Sequence, residues 1–329
     1  MTRRDERGMY TSSSSQPGTM ALMLERLDVR RGQRVLEVGA GTGYNAALLC
    51  KLVGPAGRVV SIELEPDTAR CARRALAGAK PRVKVVQVDG RQGWPRDAPY
   101  KRIIVTASAS RVALAWFDQL EDGGLLEVPL WVDRSGETQA VVTFRKVAGA
   151  LRSVSVLCGG FMPLRAAVGA AVPRPGWHLS ASETRAGHSR SLAHLSGEAL
   201  RQLSAKGRRQ LLSLALTQPR VRQLGMRAPR GPLVLYLTLQ APQRRFVGGW
   251  MTPGIISPDG RGVAHLAGSK TCTRIHAYGD SEPEQTLRQL IEDWDSRGRP
   301  TEQQLHAHVS FEQPGTTPIT WSWESRAAG

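Results

Sequence analysis

The chain has 329 residues, with 45 Lys and Arg against 28 Asp and Glu, a net charge of +17 and 41% hydrophobic residues. The length predicts about two domains, the apolar content a globular protein, and the basic excess an acidic partner such as nucleic acid, an anionic membrane or an acidic peptide. No apolar run of 18 residues occurs, which excludes a membrane-spanning helix; Met1–Gly8 lacks the apolar core of a signal peptide; and Cys50, Cys71, Cys158 and Cys272 form no CxxC pair, which argues against a zinc ribbon and for a reducing cytoplasm.

Ser12–Ser15 is a four-serine run, and Gln16-Pro17 opens a helix with Met20, Met23, Leu24 and Leu27 on one face. Strands are predicted at Val35–Val38, Arg58–Ile62, Val83–Val88, Ile103–Val105 and Leu125–Val132. Between them lie a helical pattern with Ala46, Ala47, Leu49, Cys50 and Val53 apolar, and a helix from Pro66 to Ala79 with proline in its first turn. This alternation predicts a parallel α/β sheet. A run of small residues and two prolines at 166–176 reads as a linker. All seven histidines lie beyond it. The second half, 177–329, is predicted as a smaller α+β domain with a helix at Leu195–Leu216, a strand at Leu233–Leu239, strands and turns across Gly248–Gly268, a helix at Pro283–Arg297 and a strand at Leu305–Phe311.

The first strand ends in Glu37-Val38-Gly39-Ala40-Gly41-Thr42-Gly43. Glycines let the backbone turn tightly and approach a ligand. A dinucleotide fingerprint would place a further glycine where Tyr44 stands. The pattern suits S-adenosyl-L-methionine instead, which has no pyrophosphate to cradle, with Glu37 near its cationic end. Glu63, followed by Leu64, ends the second strand and can accept hydrogen bonds from both ribose hydroxyls. Asp89-Gly90 ends the third, where an acid can meet the adenine amine. All three markers fall at carboxyl ends of strands, where open α/β sheets bind ligands.

The acceptor is harder to read. Thr106-Ala107-Ser108-Ala109-Ser110 follows the fourth strand, in place of the Asn/Asp-Pro-Pro-aromatic motif that grips exocyclic amines. The first half has no histidine, so the common base for a hydroxyl acceptor is missing. A carboxylate, already ionised at neutral pH, needs no base, although Asp, Lys or Tyr can also act as the base for a hydroxyl acceptor. His306 and His308 share one face of a strand, but no Cys or acid completes a metal set, and no metal is expected. Trp321-Ser322-Trp323 reads as strand packing, and Cys50 and Cys71 as small core residues. Residues 185–245 hold twelve basic groups and one acid, Glu198. They read either as a solvated helix face or as a docking surface for an acidic peptide; nucleic acid ranks third, because no aromatic stripe interleaves the arginines.

These motifs together resemble the protein-L-isoaspartate O-methyltransferase family over about residues 9–165. Ser13-Ser14-Ser15-Gln16-Pro17 is similar to its T-x-S-Q-P, Glu37–Tyr44 to its E-x-G-x-G-x-G-Y loop, Ser61-Ile62-Glu63 to its ribose strand, Asp89-Gly90 with Ala98-Pro99-Tyr100 to its D-G…A-P-Y, and Phe161-Met162-Pro163-Leu164 to its F-V-P-L. The resemblance implies a doubly wound S-adenosylmethionine methyltransferase sheet over 1–165 and methyl transfer to an aspartyl or isoaspartyl carboxylate. Ser15 and Ser14 would be the catalytic residues that orient that carboxylate, and Ser13, Gln16, Phe161, Pro163 and Leu164 would bind substrate. The chain departs from the family in three places: only Met1–Ser12 precede the serine element, Lys101 stands where the family has an acid, and a long second half follows. Such extensions resemble the versions found with ribosomally made, modified peptides, lanthipeptides and graspetides. The expectation is therefore a methyltransferase acting on an aspartate of an acidic precursor peptide, the ester closing to a succinimide. General isoaspartyl repair is the alternative, and a nucleic-acid methyltransferase a second one.

Overall fold

The computed structural model describes residues 3–4, 10–12, 16–79, 83–133, 138–165, 167, 177–185, 188–197, 199–241, 246–247, 253–268, 271–311 and 319–324. Helix α1 (Pro17–Leu27) buries Met20, Met23 and Leu27, and ends where Asp28 turns left-handed at φ 48°. Strand β1 (Arg34–Val38) leads through the glycine loop into α2 (Tyr44–Val53). Then follow β2 (Arg58–Glu63), α3 (Pro66–Ala75), β3 (Lys84–Gln87), β4 (Tyr100–Val105), α4 (Leu114–Gln119) and a long β5 (Leu120–Trp131). Strands β1 and β2 are buried on both faces after their first residue, as strands covered by helices on two sides must be.

Two strands not foreseen from the sequence, β6 (Gln139–Val147) and β7 (Ala150–Cys158), extend this sheet antiparallel. The second half supplies β8 (Trp177–Arg185) and β9 (His188–Gly197), a separate hairpin, then α5 (Ala199–Gln202) and α6 (Ala205–Ala215). After them come β10 (Arg220–Pro229), α7 (Arg230–Gln240), β11 (Phe246–Val247), β12 (Gly254–Ile256), β13 (Gly262–Ala267), β14 (Thr271–Gly279), α8 (Glu282–Ser296), β15 (Leu305–Ser310) and β16 (Ile319–Trp323). Five of these make an antiparallel sheet in the order β10-β14-β13-β12-β11.

The predicted strand at Leu233–Leu239 is a helix. Pro232 to Thr238 are buried all round α7: Leu235 packs into the core of the large sheet, and Leu233, Tyr236 and Leu237 into that of the small one. A short run that is apolar but for Thr238 carries no helical period, so a helix buried on every side reads like a strand. The predicted helix Leu195–Leu216 is instead the end of β9 and two helices, broken at Leu203-Ser204, where the Ser204 hydroxyl accepts from Gly207 N–H at 3.0 Å and caps α6. Cys71 is exposed rather than in the core, while Cys50 is buried.

The chain then returns to its first sheet. β15 pairs antiparallel with β7 through His308–Ser310, and β16 with β15, giving nine strands in the order β16-β15-β7-β6-β5-β4-β1-β2-β3. Leu305, Ala307 and Val309 join the core of that sheet. Both halves thus contribute to one sheet, on either side of the stretch expected as a linker. Among the described residues no helix is long and apolar enough to cross a membrane.

Candidate active site

The strand order reverses between β1 and β4, which pair in parallel while the chain continues from β1 to β2 on one side and from β4 to β5 on the other. At such a switch point the loops beyond the carboxyl ends leave a crevice. Gly39, Gly41 and Gly43 occupy it with φ of 102°, 52° and 82°, a region that favours glycine. A Cβ on Gly39 would lie 2.5 Å from Thr106 Oγ1, the hydroxyl that donates to the Gly39 carbonyl at 2.8 Å. Gly41 is different: the space where its Cβ would stand has no protein atom within 4 Å, so its face of the loop is open. Thr42 lies in the turn, and Tyr44, the first residue of α2, is about half exposed.

Glu37 lies beneath the loop, fully buried. Ser61 donates to its Oε2 and Asn45 Nδ2 to its Oε1 at 2.8 Å. Burial pushes its carboxyl up to about 7 against the opposing pull of these two donors. Each oxygen thus has one protein donor, and the full burial of Glu37 separates it from the more open Gly41 face of the loop.

Glu63 sits at the end of β2, mostly buried. Its Oε2 accepts the Gly41 N–H at 2.9 Å and its Oε1 the Glu65 N–H at 3.1 Å. Each carboxylate oxygen has a second lone pair, so the two amides fix the group with acceptors to spare for a diol. Leu64 is half-buried beside it. Asp89 stands two residues past the end of β3 and caps a one-turn helix, its Oδ1 accepting from Arg91 N–H at 2.9 Å. Burial raises this carboxyl, but the Arg91 hydrogen bonds and charge outweigh it and hold it below its usual value. At Gly90 a Cβ would come within 2.4 Å of Val38 Cγ1, and its carbonyl accepts from Trp116 Nε1 at 2.8 Å.

The Phe161–Leu164 segment is brought across this end of the sheet. Ser108 N–H donates to the Met162 carbonyl at 2.8 Å and Leu164 N–H to the Ser108 carbonyl at 2.7 Å, a parallel bridge of Ser108 with Pro163. Ser108, Trp131, Gln139 and Arg165 were given no role from sequence; their partners lie 22 to 100 residues away, and the signal available was Ser108's place just past the fourth strand. Gln16 precedes α1 and is exposed. Ser13, Ser14 and Ser15 lie outside the described residues. Lys101 is at the amino end of β4, far along the strand from the site, in an exposed pair with Glu121 at 2.8 Å.

An open glycine face, a pinned carboxylate on the next strand and a second acid beyond the following one are the groups the sequence reading assigns to S-adenosyl-L-methionine, and the fold brings them to one end of the sheet. Fold and site thus define the S-adenosylmethionine-dependent methyltransferase class. Within that class, a model described as Protein-L-isoaspartate(D-aspartate) O-methyltransferase (PCMT) matches residues 6–167. A protein-L-isoaspartate O-methyltransferase of Methanococcus maripaludis is 38% identical over 156 residues, 47% of this chain and 72% of that protein. One from Ignicoccus hospitalis is 47% identical over 117 residues, 35% of this chain and only 56% of its own length. A solved structure described as a protein-L-isoaspartate O-methyltransferase superposes with a TM-score of 0.50 at 28% identity, covering 97% of this chain and 85% of that one. The chain belongs to the protein-L-isoaspartate O-methyltransferase family.

Proposed function

We propose that this protein transfers the methyl group of S-adenosyl-L-methionine to an isoaspartyl carboxylate of a protein or peptide. The observation that carries the reading is the Phe161–Leu164 segment, which resembles the family's substrate element and is bridged to Ser108 at the cofactor end of the sheet. Bound there, the cofactor supplies a methyl group made electrophilic by its sulfonium. Glu63 holds the ribose hydroxyls, Asp89 accepts from the adenine amine, and the Gly39–Gly43 backbone admits the rest. The acceptor carboxylate is already ionised at neutral pH, so the chain's task is to desolvate it and align one oxygen with the methyl. Ser14 and Ser15, with Ser13 and Gln16, take the orienting role in this proposal. No step asks for a base.

The long second half was the ground for expecting a precursor-peptide substrate. A solved family member aligns across both halves of this chain, so the extension does not favour that reading over repair. Within the proposal the second half assists acceptor docking. Of its basic groups, Arg220 and Arg222 pair with Glu284 and Arg230 donates to the Gly268 carbonyl, while Lys206, Arg209 and Arg227 stay exposed. A cytoplasmic location is supported by all four cysteines being free.

The test offers the native protein an isoaspartyl peptide, its aspartyl twin and an acidic precursor-like peptide, each with labelled S-adenosylmethionine, followed by mass spectrometry. Preference for the isoaspartyl peptide, with an ester that decays to a succinimide by loss of methanol, is the expected result. Preference for the aspartyl precursor would replace repair with peptide modification. Base-stable methylation of an amine or nucleobase would refute carboxyl chemistry.

A further inference from the structure

The segment Phe161–Arg165 is a strap held at both ends. At its near end, Phe161 N–H donates to Gln139 Oε1 at 2.8 Å and Ser108 Oγ donates to the Phe161 carbonyl at 3.1 Å. Ser108 is fixed in turn by Trp131, whose Nε1–H donates to its hydroxyl at 3.1 Å. In the middle, Leu164 Cδ1 approaches the position a Cβ on Gly90 would take, at 3.8 Å. At the far end, Arg165 Nη1 pairs with Glu65 Oε1, and the two side chains are only 11% and 22% exposed. Glu65 precedes α3, and its own N–H donates to Glu63 Oε1. A continuous chain of contacts therefore runs Trp131, Ser108, strap, Arg165, Glu65, Glu63. It joins the acceptor side of the crevice to the carboxylate assigned to the ribose.

We propose that Arg165 is a positioning residue that couples the strap to Glu63, so that the cofactor's ribose site and the acceptor cleft are set together. This rests on the cofactor reading given above. Arg165 has no contact with the reacting atoms in this scheme; it acts through Glu65, whose backbone holds one oxygen of Glu63. The pair is shielded enough that losing one partner leaves a poorly hydrated charge, unlike an exposed pair. When Arg165 lets go, the strap keeps its backbone bridge to Ser108 but loses its tie to Glu65. Coupling of this kind is reciprocal, so weaker strap closure appears in both affinities.

The experiment measures binding of S-adenosylhomocysteine by calorimetry, amide exchange at Leu164 with and without it, and KM and kcat for an isoaspartyl peptide. Arg165→Met keeps the aliphatic stem and removes the charge. It is expected to raise both the S-adenosylhomocysteine Kd and the peptide KM by at least about fivefold, to speed exchange at Leu164, and to leave kcat within about twofold. Arg165→Lys should recover most of the affinity. Ser108→Ala, which removes the hydroxyl contacts with Phe161 and Trp131 but keeps the backbone bridge, should raise the peptide KM while leaving the S-adenosylhomocysteine Kd in place. Unchanged Kd and exchange in Arg165→Met, or equal losses in the Met and Lys variants, would overturn the proposal. If the native protein binds S-adenosylhomocysteine but methylates no isoaspartyl peptide, the substrate reading falls, and Kd and exchange still decide for or against the strap. A native protein that does not bind it overturns both.

Discussion

Replacing Glu37 by glutamine tests whether the group under the glycine loop carries a proton near neutral pH. The carboxyl is fully buried and raised to about 7 from 4.5, chiefly by burial. A shift of that size corresponds to about 3 kcal/mol. The sign follows from which state holds the proton. Below pH 4.5 the group is protonated both folded and unfolded, and contributes no difference. Between 4.5 and about 7 the folded state keeps a proton that the unfolded chain has released, so stability falls as pH rises. Above 7 the full penalty of about 3 kcal/mol is present. Glutamine cannot ionise, and its altered contacts with Ser61 and Asn45 add an offset that does not depend on pH. Urea unfolding of both proteins from pH 5 to 8 should therefore show the variant gaining on the native protein by about 2–3 kcal/mol across that range. A difference constant to within about 0.5 kcal/mol would refute the argument, because additive errors of that size are ordinary. Glu127, raised to about 8 by burial with Thr143 as its hydrogen-bond donor, predicts the same sign displaced to higher pH.

Glu63→Ala removes the acceptor that the proposal gives to two ribose hydroxyls, each charge-assisted bond worth about 1.5–3 kcal/mol; calorimetry should show S-adenosylhomocysteine binding at least about tenfold weaker. Deleting residues 166–329 strips Leu235, Leu305 and Val309 from the core of the large sheet. At about 1.5–3 kcal/mol each that loss approaches the stability of a whole domain, and it also bares the edge of β7. The fragment should fail to give a monomeric, cooperatively unfolding species by gel filtration and circular dichroism. Lys101→Asp restores the family's acid at an exposed position far from the crevice; expected changes are below about 1 kcal/mol in stability and negligible in S-adenosylhomocysteine affinity. A large affinity change would show that the amino end of β4 communicates with the site.

The candidate crevice was legible in the residues because its geometry is local. A strand followed at once by glycines must turn, and an acid at the end of a neighbouring strand must emerge beside that turn, so Gly39–Gly43, Glu63 and Asp89 announce themselves within a few residues of each strand. The parallel sheet was legible for the same reason, through short apolar runs alternating with helices. Other features depended on where distant segments meet. Leu233–Leu239 is apolar but for Thr238, and only its burial between two sheets makes α7 a helix rather than a strand. The return of β15 to the edge of β7 bridges more than 150 residues, and no local pattern encodes which edge a strand will find. Glu37 reads as a cofactor ligand from its place in the motif; packing buries it fully, with Ser61 and Asn45 each donating to one of its oxygens. Ser108 and Arg165 are ordinary residues in the sequence; they matter because the folded chain carries Phe161–Arg165 across the ends of strands formed some 60 to 130 residues earlier. Sequence order carries short-range geometry, whereas contacts closed over long loops are selected by the burial and hydrogen bonding available once the sheets have assembled.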